Sequence, residues 1–172
     1  MQVSPPPSFS PHTLPLTRPA YAIALGFGSG KSPIAPGTVG TLFAWVSYNL
    51  LLARLSDAWL ALLLIGALLV GWWACQVTAR TLDVDDPGAV VWDEIVAFWL
   101  ILWLIDPAAW WLQVLAFGLF RFFDAVKPQP VRWADRKFKG PGWRGAWGIL
   151  WDDLVAAFCT LLVIAAGVHL LA

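Results

Sequence analysis

Five apolar runs set the rhythm of this chain, at residues 38–55, 58–75, 89–105, 108–123 and 149–171. None alternates with the period of two that a half-buried strand requires, and no internal repeat is visible. Several approach the ~17–25 residues that cross a bilayer as a helix, the fourth being short. The pattern predicts an all-α, polytopic membrane helical bundle of about five helices. Ser56-Asp57 and Asp106-Pro107 leave room only for tight turns, so each joins an antiparallel hairpin. Two longer polar segments, 76–88 and 124–148, separate the hairpins. Ahead of the first run lies a Gly/Pro loop, 26–38, whose glycines permit positive φ and whose prolines stop a helix. It is expected to be partly re-entrant. Residues 1–20 are proline-rich with no apolar core, so they do not read as a signal peptide. They are expected to form a disordered tail before a membrane-embedded domain at 21–172.

Composition reinforces the membrane reading. Hydrophobic residues make up 59% of the 172, the mean hydropathy is +0.69, and there are 13 tryptophans. Indoles favour the two membrane interfaces. A net charge of zero gives no bulk attraction to nucleic acid. The distribution of charge is more telling. With two tight turns on one side, the other side collects Arg18, Lys31, Arg80, Arg121, Lys127, Arg132, Arg136, Lys137, Lys139 and Arg144, against Arg54 alone opposite. By the positive-inside rule the basic side is cytoplasmic. Cys75 and Cys159 sit in apolar runs without a nearby Cys or His, so they read as small buried hydrophobes. His12 and His169 lie near the chain ends and take no role.

Carboxylates inside the apolar runs are the chemical anomaly. Asp93-Glu94 follows Val90-Val91-Trp92, and Asp152-Asp153 follows Ile149-Leu150-Trp151. A charged residue at a membrane helix centre costs about 2.5–3.5 kcal/mol and is by default functional. An acid at a helix start gains only about 0.3–1 kcal/mol from the dipole. That suffices for a solvated first turn, not behind three apolar residues. Two acidic pairs call for a cation between them. A carboxylate-rich set without histidine favours a hard ion, Mg²⁺ or Mn²⁺, over zinc.

Arg121, Asp124 and Lys127 are spaced by three, on one helical face if the helix runs to Pro128. They read either as a surface salt-bridge stripe or as a metal ligand flanked by phosphate clamps. Arg132, Arg136, Lys137, Lys139 and Arg144 read mainly as anchors for anionic headgroups. Gly30-Lys31-Ser32 imitates a P-loop, but Leu25 stands where the first glycine belongs and Pro33 and Pro36 break the required helix. The loop can still offer a nest of backbone N–H groups to phosphate oxygens.

Taken together, four blocks resemble the bacterial phosphatidylglycerophosphatase A family. They are Gly26-Phe-Gly-Ser-Gly with Pro33, Ala35-Pro-Gly-Thr38 and Val39-Gly-Thr41; Asp86-Pro-Gly with Val90-Val-Trp-Asp93-Glu94; Phe120-Arg121, Asp124, Lys127-Pro128, Pro130 and Arg132-Trp133; and Gly148-Ile149 with Asp152-Asp153. They occur in the family's order between residues 21 and 160. The resemblance implies a Mg²⁺-dependent enzyme of the bacterial cytoplasmic membrane that hydrolyses phosphatidylglycerophosphate to phosphatidylglycerol and inorganic phosphate, in phospholipid biosynthesis. It implies Asp86, Asp93, Glu94, Asp124, Asp152 and Asp153 as metal ligands, the last five also as catalytic groups. Lys127, Arg121, Arg132, Ser29 and Thr38 would bind substrate. Two other functions share such a cradle: a lipid phosphotransferase, which would need a phosphoryl donor, and a cation-coupled carrier, which should place its acids at the bilayer midplane. The sequence carries no readable signal for oligomeric state.

Overall fold

The computed structural model describes residues 10–137 and 143–171, and among these every regular element is helical. Seven α-helices follow one another: α1 Pro19–Ala24, α2 Pro36–Leu51, α3 Asp57–Leu82, α4 Trp92–Ile105, α5 Trp110–Val126, α6 Val131–Lys137 and α7 Trp143–Leu171. Three short 3-10 turns, Pro11–Thr13, Gly26–Lys31 and Leu52–Arg54, complete the order. The all-α expectation holds, while the count of about five becomes seven because α1 and α6 form outside the apolar runs. α3 and the Gly145–Leu170 part of α7 are long and apolar enough to cross a membrane. At 16, 14 and 17 residues, α2, α4 and α5 are shorter.

Two helices outrun their apolar stretches. α3 continues through residues 76–82, which read as a polar loop, because Thr78 and Leu82 prolong the buried stripe of Cys75 at spacings of three and four. α7 begins at Trp143 rather than Ile149, and the small residues 145, 146 and 148 are buried. Hydropathy finds the apolar part of a helix, whereas periodicity and close packing extend it.

α4 is the hub. Ile95, Val96, Ala97, Phe98, Ile101 and Leu102 are all buried to within 1%. A helix apolar on every side belongs in an interior, and α2, α3, α5 and α7 surround this one. The approaches are made at small residues. A Cβ on Gly40 of α2 would come within 2.8 Å of Val91, and one on Gly71 of α3 would collide with the Trp92 ring. Indoles then fix the register: Trp92 Nε1 donates to the Ala67 carbonyl at 2.9 Å, and Trp99 Nε1 to the Ala44 carbonyl at 3.1 Å. Those two indoles are core hydrogen-bond donors rather than interface anchors. Trp59, Trp110 and Trp111 are exposed.

The expected tail is folded in its second half; residues 1–9 lie outside the described residues. Leu14 is buried, and Lys31 Nζ donates to the carbonyls of Leu14 at 2.6 Å and His12 at 3.2 Å. This strap packs beside α1 with Tyr21 and Leu82. An apolar residue in a proline-rich stretch finds a buried seat, which composition does not reveal. The Gly/Pro loop turns back on itself with positive φ at Gly26, Phe27 and Gly28, and a side chain at Gly30 would collide with the Ala89 carbonyl. Val91 N–H donates to the Ala24 carbonyl at 2.9 Å, which pins this loop region to the start of α4.

Candidate functional site

Carboxylates from distant parts of the chain meet at the N-terminal end of α4. Asp93 and Glu94 stand in its first turn, and Asp153 enters from α7. One oxygen from each of the three lies within 4.8 Å of the others. Asp93 and Asp153 are 8% and 3% exposed, so solvent does little to separate the like charges. Asp124, near the end of α5, makes side-chain contact with Asp153 and extends the set. The Asp93 and Glu94 positions gain from the positive end of the α4 dipole. Asp152 and Asp153 do not, because α7 starts at Trp143, about two and a half turns earlier. The solvated helix-start reading therefore fails for that pair.

Arg121 organises one side. Its Nη1 lies 2.6 Å from Asp124 Oδ2 and 3.7 Å from Glu94 Oε1, and donates to Thr41 Oγ1 at 3.4 Å. Gly37, in the first turn of α2, is pressed against this group: a Cβ there would overlap Glu94 Oε1 and stand 3.0 Å from Arg121 Nη2. Ala35 caps α2 without a side-chain hydrogen bond, so the helix's first N–H groups are open to an anion. Glu94 Oε2 and Arg121 Nε are buried with no hydrogen-bond partner. Buried polar atoms are nearly always paired, so these two are free to take a ligand.

Lys127 organises the other side. Its ammonium is shared between Asp152 Oδ2 at 2.5 Å and Asp135 Oδ1 at 2.7 Å. Burial alone would lower the Lys127 pKa, but the facing carboxylates of Asp152 and Asp135 hold it above its ordinary value. Lys127 closes α5 at φ 47°, ψ 57°, a left-handed conformation that costs a side-chain-bearing residue about 1–3 kcal/mol. Adjacent positions on a helix point about 100° apart, which sends Asp153 to the cluster and Asp152 to Lys127.

The remaining expected residues are placed as follows. Asp86 is exposed between α3 and α4, outside the three-carboxylate cluster, close enough to act electrostatically on Asp152. Ser29 Oγ donates to the Gly26 carbonyl at 2.8 Å and so closes its own turn. Thr38 is half-buried in the first turn of α2, next to Gly37. Arg132 is exposed on α6, as are Arg136 and Lys137, with Lys137 Nζ 4.5 Å from the Trp133 ring centre. Lys139 and the Arg144 side chain lie outside the described residues. Sequence reasoning missed Asp135, Thr41 and the close approach at Gly37. Asp135 did carry one signal, as the single acid in the otherwise basic segment 125–151.

The donor chemistry suits a hard divalent cation. Asp93, Glu94 and Asp153, with Asp124 in contact with them, form a set of oxygen-only donors beside Arg121, and donors of this kind match Mg²⁺ or Mn²⁺. Fold and site thus define a class: a helical protein with apolar outer helices and a buried acidic centre beside a helix start that lacks a side-chain cap. The phosphatidylglycerophosphatase A family profile matches residues 22–168. Phosphatidylglycerophosphatase A of Escherichia coli is 36% identical over 155 residues, covering 90% of this chain and 84% of that protein. The protein of the same name from Haemophilus influenzae is 36% identical over 151 residues, covering 88% and 90%. A Bacteroides thetaiotaomicron protein provisionally named a phosphatidylinositol-3-phosphatase is 36% identical over 161 residues, covering 88% and 97%. No solved structure matches the chain. The chain belongs to the phosphatidylglycerophosphatase A family.

Proposed function

We propose that the chain is a Mg²⁺-dependent phosphatase that converts phosphatidylglycerophosphate to phosphatidylglycerol and inorganic phosphate. The observation that carries this reading is the convergence of Asp93, Glu94 and Asp153 within 4.8 Å, next to Arg121 and the open start of α2. Asp93, Glu94 and Asp153 would hold the ion, with Asp124 beside them. A bound Mg²⁺ supplies Lewis acidity for the phosphoryl group and a lower pKa for a coordinated water. Arg121 and the first N–H groups of α2 take charge on the phosphoryl oxygens, with Thr38 in the same turn. Lys127 approaches from the Asp152 side as a second cation. A carboxylate of the cluster removes a proton from the attacking water as the new P–O bond forms. The bond from phosphorus to the glycerol oxygen breaks, and that oxygen leaves with a proton as the product's hydroxyl.

The ten-to-one asymmetry of basic residues supports a multi-pass arrangement in the bacterial cytoplasmic membrane, with this site facing the cytoplasm and the Gly/Pro loop entering the surface part-way. Acyl chains then stay in the bilayer while the headgroup reaches the carboxylates.

The test is phosphate release by purified full-length protein in mixed micelles containing phosphatidylglycerophosphate, with Mg²⁺ and with chelator. Phosphatidylinositol 3-phosphate serves as the competing lipid. Release that needs Mg²⁺, prefers phosphatidylglycerophosphate and is lost in Asp93→Asn supports the reading. Equal turnover in Asp93→Asn, or no release from the wild type, overturns it.

A further inference from the structure

Asp135 falls in none of the acidic pairs, and it is not part of the three-carboxylate cluster. Its carboxylate is nevertheless largely buried, at 13% exposure, with Oδ1 2.7 Å from Lys127 Nζ. The same ammonium contacts Asp152 Oδ2 at 2.5 Å. One lysine is therefore held by carboxylates from two different helices, α6 and α7. Its backbone makes the arrangement more telling. Lys127 ends α5 in the left-handed region, where glycine is the usual residue, and it directly precedes Pro128, which disfavours helical angles in its neighbour. Backbone preference alone would select glycine here. A lysine at this point gains only through where its ammonium is delivered.

We propose that Asp135 is the positioning residue for Lys127, anchoring the ammonium at the edge of the acidic cluster so that Asp152 can be exchanged for a phosphoryl oxygen of the bound substrate. The proposal rests on the phosphatase reading above. An ammonium paired with Asp152 alone would be stranded, half-buried and unpaired, whenever that contact opened. With Asp135 in place the ammonium keeps one carboxylate throughout the exchange. Asp152 is then not needed to neutralise it. A passive staple between α6 and α7 is the competing account, and it differs in what it does to kinetics.

The experiment compares full-length wild type with Asp135→Asn, Asp135→Ser and Asp135→Glu, measuring kcat and KM for Mg²⁺-dependent phosphate release beside Tm. Loss of one charge-assisted contact to the clamp should raise KM in Asp135→Asn about tenfold, with kcat within about threefold of wild type. Asp135→Glu, which keeps the charge, should return KM to within about threefold of wild type. A lower Tm with both kinetic constants unchanged identifies a staple and overturns the proposal, as does a fall in kcat at constant KM. Asp135→Ser is read by the same criteria where Asp135→Asn does not fold. Calorimetric binding of inorganic phosphate to Mg²⁺-loaded protein separates the two levels of inference. A wild type that releases no phosphate from the lipid overturns the phosphatase reading. Phosphate binding weakened about tenfold in Asp135→Asn still supports the role of Asp135, and equal binding overturns it.

Discussion

Gly37 and Glu94 share a single space: a Cβ on the glycine would fall on the glutamate's Oε1, with Arg121 Nη2 3.0 Å away. The absence of a side chain at the start of α2 is therefore a condition for the Glu94–Arg121 arrangement. Gly37→Ala must push Glu94 or the helix start aside by roughly an ångström. Displacements of that size in a catalytic constellation cost about 100-fold. The expected result is a fall of that order in kcat/KM with the helical circular dichroism spectrum retained. Wild-type activity in Gly37→Ala would mean that α2 does not form a wall of the site.

The two members of the Asp152-Asp153 pair should behave differently. Asp153 faces Asp93 and Glu94, whereas Asp152 is engaged by Lys127. Asp153→Asn is expected to lower turnover by at least about 100-fold and to weaken cation binding. Asp152→Asn should lower turnover while leaving the affinity for Mn²⁺, read by calorimetry, within about threefold of wild type. Equal losses of ion affinity in the two variants would contradict the division of labour.

Arg121 reaches Asp124, Glu94 and Thr41 from one planar group. A lysine keeps the charge but not the fork, and such a replacement is not conservative. Arg121→Lys should reduce kcat/KM about tenfold, and Arg121→Ala by about 100-fold or more. Steady-state kinetics on phosphatidylglycerophosphate decide it, and full activity in Arg121→Lys would remove the clamp from the account.

The raised pKa of Lys127 also fixes a sign. Burial opposes its charge, but Asp152 and Asp135 outweigh burial, so the folded value lies above the unfolded one. Its stabilising contribution is therefore complete below the unfolded value of about 10.4 and fades only as pH rises through the folded value. In the wild type, the ¹³Cε chemical shift of Lys127 should therefore stay constant between roughly pH 6 and pH 9. A shift that moves within that interval would show that the ammonium titrates there.

Most of the acidic centre was legible because membrane-like helices seldom carry carboxylates, which made Asp93, Glu94 and Asp153 conspicuous against their neighbours. Which member of the 152/153 pair turns inward was not legible, since that depends on how α7 rotates against α4. Asp135 was hidden in a basic segment where an acid draws no attention until Lys127 is seen beside it. The buried Leu14 and the extension of α3 to Leu82 likewise rest on contacts with Tyr21 and its neighbours, not on local hydropathy. Asp86, although part of the family-like block, is exposed between α3 and α4, and a block match gives no depth.

The most direct test of the central claim is the stoichiometry of Mn²⁺ binding, measured by electron paramagnetic resonance on purified full-length protein and on Asp93→Asn and Asp153→Asn. Carboxylates from α4 and α7 that jointly hold an ion predict tight binding in the wild type and its loss in each single variant, although the two positions are 60 residues apart in the chain. Unchanged binding in both variants would contradict it.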